Sequence, residues 1–98
     1  MSESLRIDKW LWHARFCRTR AIAQAKAAQG RIRLNGNRVE KPSAKVKVGD
    51  VLTLPAGGKV MSLRVLGLGL RRGPAAEAQN LYELIEAATL NSTAGGSG

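Results

Sequence analysis

Residues 6–39 read RIDKWLWHARFCRTRAIAQAKAAQGRIRLNGNRV, and two periodicities meet in them. Ile7, Trp10, Leu11 and Ala14 recur at helical spacing, which predicts a helix from about Asp8 to Phe16 with Asp8 or Ser4 as its N-terminal cap. Thr19 then opens a second helix over AIAQAKAAQ, stopped by Gly30, a residue suited to the position just past a helix end. Ile22 and Ala25, with Ala28 or Gln29, form its predicted inward face, and its small residues let the two helices approach closely. After Gly30 the period shortens to two. Ile32 and Leu34 point to a core, Arg31 and Arg33 point away from it, and Asn35-Gly36 favours the type I′ turn of a β-hairpin.

The same unit carries a one-signed charge. Between Lys9 and Val39 there is no acidic residue, yet eight basic ones: Lys9, Arg15, Arg18, Arg20, Lys26, Arg31, Arg33 and Arg38. Surfaces that are merely solvated usually mix both signs. A one-signed field on an ordered surface suits a phosphate backbone. The junction Arg15-Phe16-Cys17-Arg18-Thr19-Arg20 gathers three guanidiniums at a helix start, where free N–H groups and the positive dipole end also favour anions. Asp8 and Glu40, which bracket the span, and Asp50 read as cap and turn residues rather than as an acid/base pair.

Outward from this unit, Pro42-Ser43 marks a bend, KVKV alternates, Gly49-Asp50 turns, and Val51–Leu54 forms a further strand. Gly57-Gly58 is a loop before KVMSLRVLGLG, which reads as one long strand or two short ones. Pro74 suits the first turn of a last helix, along which Leu81, Leu84, Ile85 and Ala88 would form one apolar stripe. NSTAGGSG has the composition of a disordered tail. The expected organisation is one α+β domain: an N-terminal helix pair packed on a small, mainly antiparallel sheet with a hairpin, plus a C-terminal helix. The core spans 5–54, an additional strand region 55–72, the helix 73–90 and the tail 91–98.

The whole chain of 98 residues has a formal net charge of +9, unevenly placed. Residues 1–72 hold 16 basic and four acidic groups, a net of +12, while residues 73–98 hold three acidic and no basic groups, a net of −3. This suits a nucleic-acid binder whose last element lies away from the contact face. The single cysteine, Cys17, permits no intrachain disulfide and points to a reducing compartment. The charged N-terminus lacks the apolar run of a signal peptide, and no stretch approaches the roughly 18 apolar residues of a membrane helix. A cytoplasmic protein without a membrane partner is expected.

Other chemistries find little support. His13 and Cys17 stand at i, i+4, but no other cysteine or histidine completes a metal site, and no third group would make Cys17 a nucleophile. Gly57-Gly58 and Gly67-Leu68-Gly69 lack the lysine and spacing of a phosphate-binding loop. No catalytic residue, metal or cofactor is expected. Trp10 belongs to the core face, whereas Trp12 lies toward Asp8, Arg15 and Phe16 at the margin of the surface, where stacking on a splayed base is a minor mode.

Several of these elements resemble the S4 RNA-binding domain. Arg6-Ile7-Asp8-Lys9-Trp10-Leu11-Trp12, Arg15, Thr19-Arg20-Ala21, Gly30-Arg31-Ile32, Asn35-Gly36, Val39, Pro42-Ser43, Val46 and Gly49-Asp50 occur in that domain's order over about residues 5–54. The Asp8–Trp12 stretch, with Arg71-Arg72-Gly73-Pro74-Ala75 ahead of Leu81-Tyr82, is similar to the fifteen-kilodalton bacterial heat-shock protein family. That resemblance implies a free-standing module on the large ribosomal subunit, acting on stalled nascent chains still attached to tRNA. It also implies one RNA-binding surface made by the helix pair and hairpin. Arg6, Lys9, Arg15, Arg18, Thr19, Arg20, Arg31 and Arg33 would lie on or beside it, with Asn35 and Gly36 shaping the turn and Arg38 flanking it; Lys26 belongs to the same acid-free span. The family's longer members continue into a basic extension, whereas this chain has an acidic segment and NSTAGGSG there, and residues 55–70 match only loosely.

The expectation is therefore a non-enzymatic, monomeric binder of structured RNA, in the first place ribosomal RNA of the large subunit and secondarily tRNA, with a role in handling stalled nascent-chain–tRNA complexes or heat-stressed ribosomes. The alternatives are an accessory module in tRNA or rRNA modification or ribosome assembly, and a helix-turn-helix DNA binder reading bases with Gln24, Lys26 and Gln29. A protein adaptor using the Leu81/Leu84/Ile85 stripe is a further class.

Overall fold

The computed structural model describes residues 3–89. A short strand β1 (Leu5–Arg6) leads into helix α1 (Ile7–His13), and helix α2 (Arg20–Ala28) follows after a tight connection. Strands β2 (Arg33–Leu34) and β3 (Asn37–Arg38) form the hairpin; β4 (Lys45–Val46), β5 (Val51–Ala56) and β6 (Lys59–Val65) come next. Helix α3 (Ala75–Ala78), one turn of 3₁₀ helix (Gln79–Leu81) and strand β7 (Tyr82–Thr89) complete the order. A five-stranded antiparallel sheet runs β3-β2-β5-β6-β7, and β1 pairs separately with β4.

The helix pair packs on this sheet through an aliphatic core. Ile7, Trp10 and Leu11 of α1 meet Ile32, Leu52, Leu54, Leu63 and Val65, all nearly without solvent exposure. Trp10 also donates from Nε1 to the Gly67 carbonyl at 2.8 Å, so the one polar atom of its ring is satisfied inside the core. Phe16 and Tyr82 join Trp10 in an aromatic cluster, with the Phe16 and Tyr82 rings 4.8 Å apart.

Helix α1 is shorter than its periodicity suggests. It ends at His13 because Arg15 adopts φ +65°, in the left-handed region. The Arg15 N–H donates to the Trp12 carbonyl (3.2 Å) and the Phe16 N–H to the Leu11 carbonyl (2.9 Å), which is the Schellman closure usually made with glycine. The hairpin matches expectation, with Asn35 at φ +53° and Gly36 at φ +87° as a type I′ turn requires. Arg6, rather than Asp8 or Ser4, occupies the cap position of α1 and makes no side-chain capping bond.

Two expectations are corrected. The inward face of α2 is Ala23 and Ala27, both fully buried, while Ile22, Ala25, Ala28 and Gln29 are exposed. Alanine gives little hydrophobic contrast around a helix, so the larger Ile22 pulled the predicted face the wrong way; close packing against α1 admits only methyl groups there. The segment 73–90 is not one helix. Helix starts after Pro74 as expected but lasts only to Ala78, and Tyr82–Thr89 is a strand paired along β6, with Leu63 opposite Leu84 and Val65 opposite Tyr82. The sequence YELIEAA alternates as well as it repeats at helical spacing. A seven-residue β6 with an open edge decides the matter through pairing, which outweighs helix propensity. The predicted apolar stripe does not exist; Leu84 and Ile85 are exposed. The expected tail 91–98 lies outside the described residues.

Candidate nucleic-acid interface

The N-terminal end of α2 is organised by Asp8. Its carboxylate is fully buried and receives both arms of the Arg6 guanidinium, at 3.1 and 3.0 Å, together with the Lys9 N–H at 2.7 Å. Arg20 approaches Oδ2, the oxygen that Arg6 Nη2 also reaches, at 3.5 Å. Burial pushes the Asp8 carboxyl up, but the Arg6 hydrogen bonds, the Lys9 amide and the charges of Arg20 and Arg6 outweigh it and hold the group below its ordinary value. Asp8 is therefore more than a cap residue: it fixes two arginines beside the start of α2. Thr19 caps that start, its hydroxyl accepting from the Ile22 N–H at 3.1 Å. Arg18 stands exposed next to it, with no bonded partner among the described residues. Lys9 is half-buried, and no carboxylate of the described residues pairs with its ammonium.

The other end of α2 is built differently. Lys26 lies in the last turn, and Gly30, at φ +77°, takes the chain out of the helix. The Arg38 side chain lies along Gly30, where a Cβ would sit 3.5 Å from its Cδ. Arg33 pairs directly opposite Arg38 across the hairpin. Like charges in that position cost roughly a few tenths of a kcal/mol. Arg33 reaches only the Gly36 carbonyl, at 3.5 Å, and Arg31 is exposed. Among the described residues no carboxylate pairs with Lys9, Arg18, Lys26, Arg31, Arg33 or Arg38. Further along the chain Lys47 pairs with Asp50, Arg64 with Glu83 and Arg71 with Glu77, while Lys41, Lys45, Lys59 and Arg72 have no carboxylate partner among the described residues.

Some of the sequence-predicted residues do structural work instead. Asn35 anchors the hairpin to β5: its side-chain amide donates to Asp50 (3.1 Å), its side-chain oxygen accepts from the Val51 N–H (2.9 Å), and its own N–H donates to the Val51 carbonyl (2.7 Å). Asp50 is the buried turn residue that the sequence suggested, also accepting from the Lys47 N–H. Arg15 donates from Nε to the Gly73 carbonyl at 2.7 Å and so ties the interhelix turn to the segment before α3. The three guanidiniums of the interhelix junction thus go to three tasks: a carbonyl for Arg15, solvent for Arg18, a buried carboxylate for Arg20.

His13 is buried, its Nδ1 3.1 Å from the Leu68 carbonyl, and it does not share a helix with Cys17. Trp12 is half-buried at the margin, as expected. Lys41 and Lys45 were missed. They flank a shallow groove shared with Asn37, Arg38, Ser43 and the acidic Glu40, and Lys45 lies across from Arg6 in the β1–β4 pair. Three lysines follow Glu40 before the next acid; that was the available signal, hidden because Glu40 closed the acid-free span.

With this geometry in view, residues 5–52 match the S4 domain model. The heat shock protein 15 homolog of Haemophilus influenzae is 40% identical over 84 residues, covering 86% of this chain and 63% of the relative. The RQC P-site tRNA stabilizing factor of Bacillus subtilis is 38% identical over 82 residues, covering 84% of this chain and 93% of the relative. The trimeric structure of Vibrio cholerae heat shock protein 15 superposes with a TM-score of 0.79 at 38% identity, over 85% of this chain and 83% of that one. The chain thus spans about three fifths of the length of the heat shock protein 15 relative from Haemophilus and nearly all of the Bacillus protein.

Proposed function

The chain belongs to the heat shock protein 15 family of S4-domain proteins, and from that premise we propose that it binds structured RNA on the ribosome, in the cytoplasm, without catalysing a reaction. The observation that carries this reading is the set of six cations of the helix pair and hairpin that pair with no carboxylate among the described residues, including two arginines held opposite each other. An arrangement that costs folding energy is retained where a polyanion completes it. The helix pair and hairpin supply a rigid frame, so capture is electrostatic and docking is by shape, as suits folded RNA whose deep groove side chains cannot read.

Within this reading the target is ribosomal RNA of the large subunit together with a tRNA held on it. The name of the Bacillus relative supports the tRNA part, and the family resemblance supports a role with stalled nascent-chain–tRNA complexes. One copy is taken as the binding unit, although the Vibrio relative was solved as a trimer.

Titration of a ribosomal RNA fragment at several salt concentrations tests the reading. If all six free cations meet phosphates, log Kd against log salt should have a slope of magnitude about 4 to 5.5. Co-sedimentation should place the protein with the large subunit. Duplex DNA at equal salt should compete at least about tenfold less well. A slope near zero, or equal competition by DNA, overturns it.

A further inference from the structure

At the C-terminal end of α2 a small cavity of about 140 Å³ opens between the helix, the connection after α1 and the end of β5. Its walls are Phe16, Leu54 and Pro55, and Cys17 is buried at its base. Its mouth is polar and one-signed: Lys26, Gln29 and Arg31 line it, and no carboxylate does. The volume is below the range that takes drug-sized ligands, but it admits one flat ring. Burial pushes the Cys17 thiol up, against the opposing charge of Lys26, so the base of the cavity stays neutral and apolar. Apolar walls of this kind offer water few hydrogen bonds and so favour an organic occupant.

We propose that this cavity receives a single unpaired nucleobase of the bound RNA, its flanking phosphates on Lys26 and Arg31 and its edge at Gln29. The inference rests on the RNA-binding reading above and adds a preference to it. Phe16 supplies the aromatic wall on which an unstacked base gains, and the side-chain amide of Gln29 can both donate to and accept from a base edge. Lys26 and Arg31 are already two of the six free cations, so a strand crossing this end of α2 brings a base to the mouth. The surface thereby gains selectivity for bulged or looped RNA that electrostatics alone does not provide.

The test compares a fully paired RNA hairpin with the same hairpin carrying one bulged 2-aminopurine. The bulged RNA should bind about tenfold more tightly, the scale of one base–aromatic stacking contact, and its fluorescence should change on binding. Ala56→Leu, at a half-buried position lining the cavity, should abolish the preference while leaving affinity for the paired hairpin and the melting temperature unchanged. Gln29→Ala, at an exposed position, should lower the preference about threefold and carries the test should Ala56→Leu melt early. Equal binding of the two RNAs, or a preference that survives both substitutions, overturns the cavity assignment while the RNA-binding reading stands. Failure of both RNAs to bind removes that reading and this inference with it.

Discussion

At the N-terminal end of α2, Arg20 shares the buried Asp8 carboxylate with Arg6; at the C-terminal end, Lys26, Arg31, Arg33 and Arg38 have no carboxylate partner among the described residues. Both ends read alike in sequence, as basic residues in an acid-free run. The difference lies in what folding asks of them. Near α1 the chain buries one acid and must compensate it, so two arginines are committed to the fold and held in place. On the hairpin no carboxylate among the described residues compensates the cations, and Arg33 and Arg38 repel each other across it. A single helix thus separates arginines that stabilise the protein from arginines that the described fold leaves without a carboxylate.

The strongest way to break this contrast is Asp8→Ala. Removing a fully buried acceptor of four hydrogen bonds should cost about 2–3 kcal/mol, lowering the melting temperature by roughly 10–20 °C. The same site sets an acid limb. Because the folded carboxyl is held below its ordinary value, its contribution is present above about pH 4 and is lost as pH falls through the depressed folded value. Urea denaturation between pH 7 and pH 3 should show this loss in the parent and a shallower one in Asp8→Asn. A parent and variant with the same pH profile would mean that Asp8 is not the organising acid.

Next in size is the double change Arg33→Ala with Arg38→Ala. Affinity for ribosomal RNA should fall roughly tenfold to thirtyfold and the salt slope lose about 1.4–1.8, while stability holds or rises by a few tenths of a kcal/mol as the like-charge pair disappears. A large drop in melting temperature here would show that these arginines are structural and would erase the difference between the two ends.

How far this division could be read from the sequence depends on where the deciding contact lies. Asn35-Gly36, Thr19 and Gly30 were legible because each satisfies a local backbone demand: a turn with positive φ, a capping oxygen, a helix exit. The end of α1 was not, since Arg15 stands where a glycine would be expected and is held by a carbonyl at Gly73, 58 residues away. The face of α2 was obscured by alanines, and β7 by a sequence that carries both periods. On the interface, the presence of cations was legible but their partners were not. Only the fold shows that Asp8 claims Arg6 and Arg20, and that Lys41 and Lys45 continue the basic surface beyond Glu40.

Within the N-terminal end itself, Arg18 and Arg20 sharpen the comparison at a smaller scale. Arg20→Ala should cost about 0.5–1 kcal/mol, because its ion pair with Asp8 is long and its Nε is buried without a hydrogen-bond partner among the described residues. Arg18→Ala should leave stability within about 0.5 kcal/mol, as for other exposed positions without structural partners, and should lower RNA affinity about threefold to tenfold. Chemical denaturation and RNA titration of the two variants separate these outcomes. Equal losses of stability would mean that the Asp8 network does not distinguish them.

The smallest effect expected is that of Arg64→Ala, and it tests the rule rather than the site. Arg64 on β6 pairs with Glu83 on β7 at 3.3 Å, with both side chains about half exposed. A cation with a carboxylate should be unavailable to RNA, just as Arg6 and Arg20 are engaged; but the Glu83 carboxylate is solvated, whereas that of Asp8 is buried. The pair should therefore contribute only about 0–0.5 kcal/mol, screened by salt. Arg64→Ala should change neither the melting temperature by more than about 2–3 °C nor the slope of RNA binding against salt. An unchanged slope would locate the interface by its unpaired cations rather than by net charge, since this variant removes one positive charge just as Arg33→Ala does. A slope that falls by the same amount for both would show that RNA responds to the total field of the domain, and the distinction between the two ends of α2 would then concern folding alone.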